Sequence, residues 1–111
     1  MLFRSQGIGG ALMEHCVYDD AGQLLTTTLM DYAVPTAKDL PAIDVHHLET
    51  PAPGLAGGFK GAGEAGTAGA PAAILNAVND AIAPWGARLT EQPLTSERVL
   101  GALHAGKPPA R

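Results

Sequence analysis

The sequence predicts an α+β fold with two or three helices, two or three short strands and one long glycine-rich loop. Three observations carry this. Apolar residues recur at helical spacing in three places, β-branched runs bounded by turn residues occur between them, and a Pro/Gly tract interrupts the middle of the chain.

The first helix is expected over residues 7–17. Ile8, Leu12 and Cys16 fall four apart, with Ala11 and His15 beside them. Gly7, Gly9 and Gly10 weaken a helix, but they also let its first turn approach another backbone or a ligand. Asp19-Asp20-Ala21-Gly22 reads as a turn. Residues 24–30, with Thr26, Thr27 and Thr28 inside, read as a strand. Residues 31–41 hold Pro35 and Pro41 and read as irregular. Residues 42–49 are a second strand candidate, with Ile43 and Val45 on one face and Asp44 and His46 on the other.

Residues 50–70 form the unusual part, a loop dense in proline and glycine. Loops this long within a domain are functional or flexible linkers. Pro71 then suits the first position of a helix, where its missing N–H is not needed. Ile74, Leu75, Val78, Ala81 and Ile82 give that helix one apolar stripe, and Pro84 with Gly86 end it. Residues 88–91 read as a short strand. Thr95 is placed to cap a last helix with Val99, Leu100 and Leu103 inward. Residues 105–111 read as a disordered tail.

Composition narrows the function. A chain of 111 residues is one domain at most, and its 46% apolar share is rich in alanine and poor in aromatics, so its core is thin. The net charge of -4 and the scattered acids give no basic patch for nucleic acid. No run approaches the roughly 18 apolar residues of a membrane span. The first residues lack a signal-peptide pattern, so a cytoplasmic chain is expected. A single cysteine, Cys16, excludes an internal disulfide and a cysteine-ligated iron–sulfur cluster built by this chain alone.

His46 and His47 are adjacent and point to opposite faces of a strand, and His15 and Cys16 diverge on a helix, so neither pair suits one metal. Asp19, Asp20 and Asp31 lie in no calcium-loop pattern. Gly106-Lys107 is followed by Pro108, which does not make a phosphate-binding loop.

Gly61-Ala62-Gly63-Glu64-Ala65-Gly66 matches G-x-G-x-x-G literally. The dinucleotide reading of that pattern needs a strand before it and an acid at the end of a second strand, and Glu64 itself would repel a pyrophosphate. Glycines on both sides of one carboxylate also let the backbone pack closely around it. A carboxylate held in a partly dry pocket can serve as a base. A solvated loop acid is the alternative.

Four segments taken together resemble the molybdopterin-binding large subunit of the xanthine dehydrogenase/aldehyde oxidase/carbon monoxide dehydrogenase family, toward its C-terminal end. Gln6-Gly7-Ile8-Gly9-Gly10-Ala11-Leu12-Met13-Glu14 is similar to its Q-G-x-G-x-A-L-x-E helix. Leu29-Met30-Asp31-Tyr32-Ala33-Val34-Pro35 is similar to its L-x-D-Y-x-x-P segment. Lys60-Gly61-Ala62-Gly63-Glu64-Ala65-Gly66 looks like its K-G-x-G-E-x-G loop, and Ala70-Pro71-Ala72-Ala73-Ile74 looks like the start of the helix after it. The resemblance implies a segment of the second molybdopterin-binding domain over residues 6–104, preceded by a non-matching leader at 1–5.

The resemblance also implies an oxidoreductase, a molybdenum hydroxylase that oxidises an aldehyde or an N-heterocycle with water-derived oxygen. Glu64 would be the catalytic base. Gln6, Gly61, Ala62, Gly63, Ala65, Gly66 and Thr67 would lie near the molybdopterin, with or without its cytosine dinucleotide extension. Iron–sulfur clusters and FAD would belong to partner subunits or domains. The family's large subunit is several times longer, which implies a truncated product or a split subunit whose remainder is a partner. The rival expectations are a non-catalytic remnant and a small anion-binding module.

Overall fold

A computed structural model describes residues 2–106. Its elements are α1 (Leu2–Leu12), α2 (Ala65–Ile82) and α3 (Ser96–Ala105), with short 3-10 turns at Ala56–Gly58 and Ala83–Trp85. Among the described residues no helix is long and apolar enough to cross a membrane.

Helix α1 runs earlier than its apolar spacing implies. Most of the expected leader at 1–5 is helical, and His15 and Cys16 fall beyond the helix end. The amides of Met13 and Glu14 both reach back to the Gly9 carbonyl, at 2.8 and 2.9 Å. The second of these spans five residues, a pattern in which a helix unwinds. Gly7 and Gly9 cost the helix conformational entropy, yet both are buried where a side chain would not fit. Tertiary packing thus outweighs local propensity here.

Helix α2 begins at Ala65, so Pro71 lies inside it and does not open it. Gly66 and Gly69, expected in the loop, are helical as well. Proline inside a helix removes one hydrogen bond. The turn is held instead against α1, and the Pro71 carbonyl accepts from Gln92 Nε2 at 2.7 Å. Ile74, Leu75 and Val78 are half-buried and Ile82 is buried, whereas Ala81 faces solvent. The helix ends as expected: Pro84 starts a 3-10 turn, and Gly86 at φ 65° donates to the Ala83 carbonyl.

Helix α3 is capped by Thr95, whose hydroxyl accepts from the Arg98 amide at 3.4 Å. Val99 and Leu103 are half-buried, but Leu100 is 53% exposed and leaves the inner face. Gly106 follows the helix. The rest of the expected tail, residues 107–111, lies outside the described residues.

None of the three expected strands forms among the described residues; the nearest approach is an isolated bridge between Tyr18 and Leu24. Side chains occupy the backbone groups that a ladder would use. The expected turn at 19–22 does form, with Asp19 Oδ1 accepting from the amides of Ala21 and Gln23 at 2.9 and 2.8 Å. In the run 24–30, Thr28 accepts from the Met30 amide at 3.2 Å and donates to Asp31 Oδ2 at 2.8 Å. The amides of Asp31 and Tyr32 then fold back onto the Thr28 carbonyl. Residues 42–49 form no regular element. At 88–91, the side chain of Asn79 stands in for a neighbouring strand: it accepts from the Leu89 amide at 2.7 Å and donates to the Leu89 carbonyl at 2.8 Å.

The core is small. Among the described residues Ala11, Ile82, Ala87 and Leu94 are buried in it, and the Leu94 amide donates to the Ala11 carbonyl at 2.6 Å. Leu29, Met30, Leu48 and Phe59 stand out in solvent, Met30 at 94%. The radius of gyration is 18.1 Å, against about 13 Å for a compact chain of this size.

Tyr32 ties the irregular segment to α1 by donating to Glu14 Oε2 at 2.6 Å. That bond, helped by desolvation and by the Glu14 charge, pushes the Tyr32 phenol up from 10.0 to about 12. Thr36 does the reverse for Asp39: its hydroxyl and then its amide hold that carboxyl below the usual carboxylate value.

Two outcomes follow. Leu94→Ala should lower unfolding free energy by about 2–3 kcal/mol, while Leu48→Ala changes it by less than about 0.5 kcal/mol, both read by urea titration. For Tyr32 the folded chain retains the proton after the unfolded chain has lost it. Its contribution is therefore complete below pH 10 and lost as pH rises toward about 12. The urea midpoint of Tyr32→Phe, followed from pH 9 to 12, should fall less than that of the parent.

Candidate functional site

The loop before α2 is organised by its own backbone. The Ala52 amide donates to the Gly58 carbonyl at 3.1 Å, the Gly58 amide to the Leu55 carbonyl at 2.9 Å, and Lys60 Nζ to Thr50 Oγ1 at 2.9 Å. Gly58 has φ 65°, and a Cβ there would stand 2.7 Å from Pro51 Cβ. Both facts require glycine. Gly61 and Gly63 differ, since a Cβ at either would meet nothing within 4 Å.

Glu64 occupies the N-cap of α2. Its carbonyl accepts from the amides of Thr67 and Ala68 at 3.0 and 2.9 Å, so its backbone starts the helix. Its side chain makes no capping bond and is exposed. It opens instead onto a cleft of about 320 Å³ lined by Gln6, Glu64, Thr67 and Ala68.

Three of the expected site residues, Gln6, Glu64 and Thr67, thus meet at one cleft although residues 6 and 64 are far apart in sequence. Ala68 joins them and was not expected. Ala65 and Gly66 line a second groove of about 370 Å³ between α1 and α2, with Arg4, Ile8 and Ile43 among its walls. That groove is larger but almost wholly apolar, whereas the cleft at Glu64 carries polar side chains. Gly61, Ala62 and Gly63 are exposed on the loop and line neither. His15, Cys16, His46 and His47 are also absent from the cleft, and among the described residues no three His, Cys, Asp or Glu side chains gather to hold a metal.

The cleft has a definite polarity. The amides of Ala65 and Gly66, in the first turn of α2, have no acceptor within the helix. Such a turn favours anionic groups through its amides and its dipole. Gln6 adds an amide that both donates and accepts. These residues suit a ligand with hydrogen-bonding edges, while the Glu64 carboxylate disfavours an anionic group placed directly beside it.

Two contacts fasten the first quoted segment to the second. Gly9 leaves room for Pro35, whose Cγ would stand 2.7 Å from a Cβ on Gly9, and Glu14 accepts from Tyr32. The spacing of these residues was visible in the sequence, but their pairing required the fold.

A family profile described as "Molybdopterin cofactor-binding domain" matches residues 4–41. The nicotine 6-hydroxylase large subunit of Paenarthrobacter nicotinovorans is 50% identical over 97 residues, which is 87% of this chain and 12% of that protein. The carbon monoxide dehydrogenase large chain of Hydrogenophaga pseudoflava is 36% identical over 99 residues, 89% of this chain and 12% of that one. The crystal structure of quinoline 2-oxidoreductase from Pseudomonas putida 86 superimposes with a TM-score of 0.90 at 47% identity, covering 94% of this chain and 13% of that chain. The chain belongs to the xanthine dehydrogenase/aldehyde oxidase/carbon monoxide dehydrogenase family of molybdopterin-binding large subunits. It spans 12% to 13% of the length of these family members.

The two kinds of glycine separate by experiment. Gly58→Ala should cost the chain about 1–2 kcal/mol, because alanine resists the left-handed conformation. Gly61→Ala should leave its thermal midpoint within error. A destabilised Gly61→Ala chain would show that the loop packs there more closely than the 4 Å clearance allows.

Proposed function

We propose that this chain is a portion of a molybdenum hydroxylase in which Glu64 is the general base and the substrate is an N-heteroaromatic ring. The observation that carries the proposal is the meeting of Gln6, Glu64 and Thr67 at one cleft beside the N-terminus of α2. The substrate class is supported by the relatives of higher identity, named for nicotine and quinoline, over the carbon monoxide enzyme at lower identity. An aldehyde is the competing substrate class.

The molybdenum group, when bound, supplies a Lewis acid and an acceptor for two electrons. The chain's own residues do the rest. Glu64 takes a proton from water-derived oxygen onto a carboxylate oxygen, which makes that oxygen a competent nucleophile. The Gln6 side-chain amide and the first-turn amides of Ala65 and Gly66 would hold the pterin, with Thr67 beside it. Gly61, Ala62 and Gly63 would pass close to the same group, because two glycines and one methyl leave the backbone little covered. Overall, a C–H bond and one water become a C–OH bond, two protons and two electrons. The electrons leave through iron–sulfur and FAD partners. The remainder of the large subunit would cover Leu29, Met30, Leu48 and Phe59, whose exposure otherwise exposes apolar surface to water.

In the complete enzyme carrying this segment, Glu64→Gln should keep its molybdenum and pterin while kcat/KM falls by about 10²–10⁴. Parent-like turnover in that variant removes Glu64 from the mechanism. A higher kcat/KM on aldehydes than on N-heteroaromatic rings would overturn the substrate assignment.

A further inference from the structure

Helices α1 and α2 meet where α1 carries Gly7. A Cβ added to Gly7 would stand 2.6 Å from Ala70 Cβ, 3.3 Å from the Gly66 carbonyl oxygen and 3.4 Å from Thr67 Cα. Gly7 is buried, and its neighbour Gln6 lines the cleft that Glu64, Thr67 and Ala68 complete. The contact therefore lies directly behind the cleft and touches Thr67, one of its walls. Gly10, on the same helix, is exposed, and a Cβ there would meet nothing within 4 Å.

We infer that Gly7 is a positioning residue: its lack of a side chain against Ala70 sets the distance between Gln6 on α1 and the Glu64–Thr67 turn of α2. This rests on the proposed reading of the cleft as the molybdopterin side of the site. Moving a Cβ from 2.6 Å to ordinary contact requires the helices to separate by about 1 Å. All three partners are backbone or a methyl group, so no rotamer change absorbs the clash. Displacements of about 1 Å are large on the scale that binding geometry tolerates. The main obstruction is one methyl group, that of Ala70, so removing it should restore the approach. The carbonyl of Gly66 and Thr67 Cα remain at distances that small adjustments accommodate.

The test uses the complete enzyme carrying this segment, with molybdenum and pterin per chain as readouts beside turnover and thermal midpoint. Gly7→Ala should lose cofactor by about ten-fold or more. Gly10→Ala should retain it. Gly7→Ala combined with Ala70→Gly should recover most of the loss, a rescue that does not depend on the single variant folding well. Cofactor content in Gly7→Ala equal to that in Gly10→Ala overturns the inference. So does a double variant that regains its thermal midpoint without regaining cofactor. Gln6→Ala distinguishes the two levels. Loss of cofactor in Gln6→Ala with none in Gly7→Ala sinks the role of Gly7 alone, whereas full cofactor in both removes the reading of the cleft itself.

Discussion

Backbone-to-backbone approach of two helices governs the geometry of this chain. Gly7 leaves space that Ala70, Gly66 and Thr67 fill, so α1 can lie on the first turns of α2. That contact explains why α2 extends back through Pro71 to Ala65. The proline removes one helical hydrogen bond, but the turns before it gain a packed neighbour. The helix N-terminus consequently arrives at Glu64, and Gln6 arrives opposite it. Had the helix begun at Pro71, Glu64 would sit in a loop with no amides of α2 nearby.

Away from that contact, side-chain-to-backbone hydrogen bonds do much of what a large core does elsewhere. Asp19 closes one turn, Thr28 another, and Asn79 bonds both backbone groups of Leu89. Glu14 and Tyr32 join two distant segments. Each such bond adds little net stability, because water competes for the same groups. Among the described residues few apolar side chains are buried, while Met30 and Leu48 are almost wholly exposed. Local hydrogen bonds can define such a surface without sealing it. The apolar side chains left outside are the part that this chain does not solve by itself.

These features set what was legible in the sequence. Thr95 could be read as a cap, and Pro84 with Gly86 as an ending, because caps depend on neighbours along the chain. The turn at Asp19 was legible for the same reason. The strands were not. Threonine-rich and β-branched runs mark a pleated surface only if a partner strand exists. Here Thr28 turned its own backbone and Asn79 took the place of the missing neighbour. The start of α2 was missed because local rules place proline at the first turn, whereas a distant glycine decided it. Leu100 was misassigned because adjacent residues on a helix diverge, and Val99 took the inner side. Glu64 was singled out by its glycine-flanked position, and Gln6 through resemblance. That the two meet at one cleft needed the α1–α2 contact.

The exposure of Glu64 constrains how it could act. A carboxylate facing open water is well solvated, and its charge is screened there. A base works best when water is excluded and its proton has one destination. Among the described residues, the walls of the cleft beside Glu64 are Gln6 on α1 and Thr67 and Ala68 on α2. The loop side, at Gly61 and Gly63, has space into which a close neighbour could come. This arrangement separates two tasks. The α1–α2 pair fixes where the carboxylate stands, and that needs only short-range packing within this chain. Drying the site requires further walls against the loop, and glycine at both positions leaves the backbone open to them.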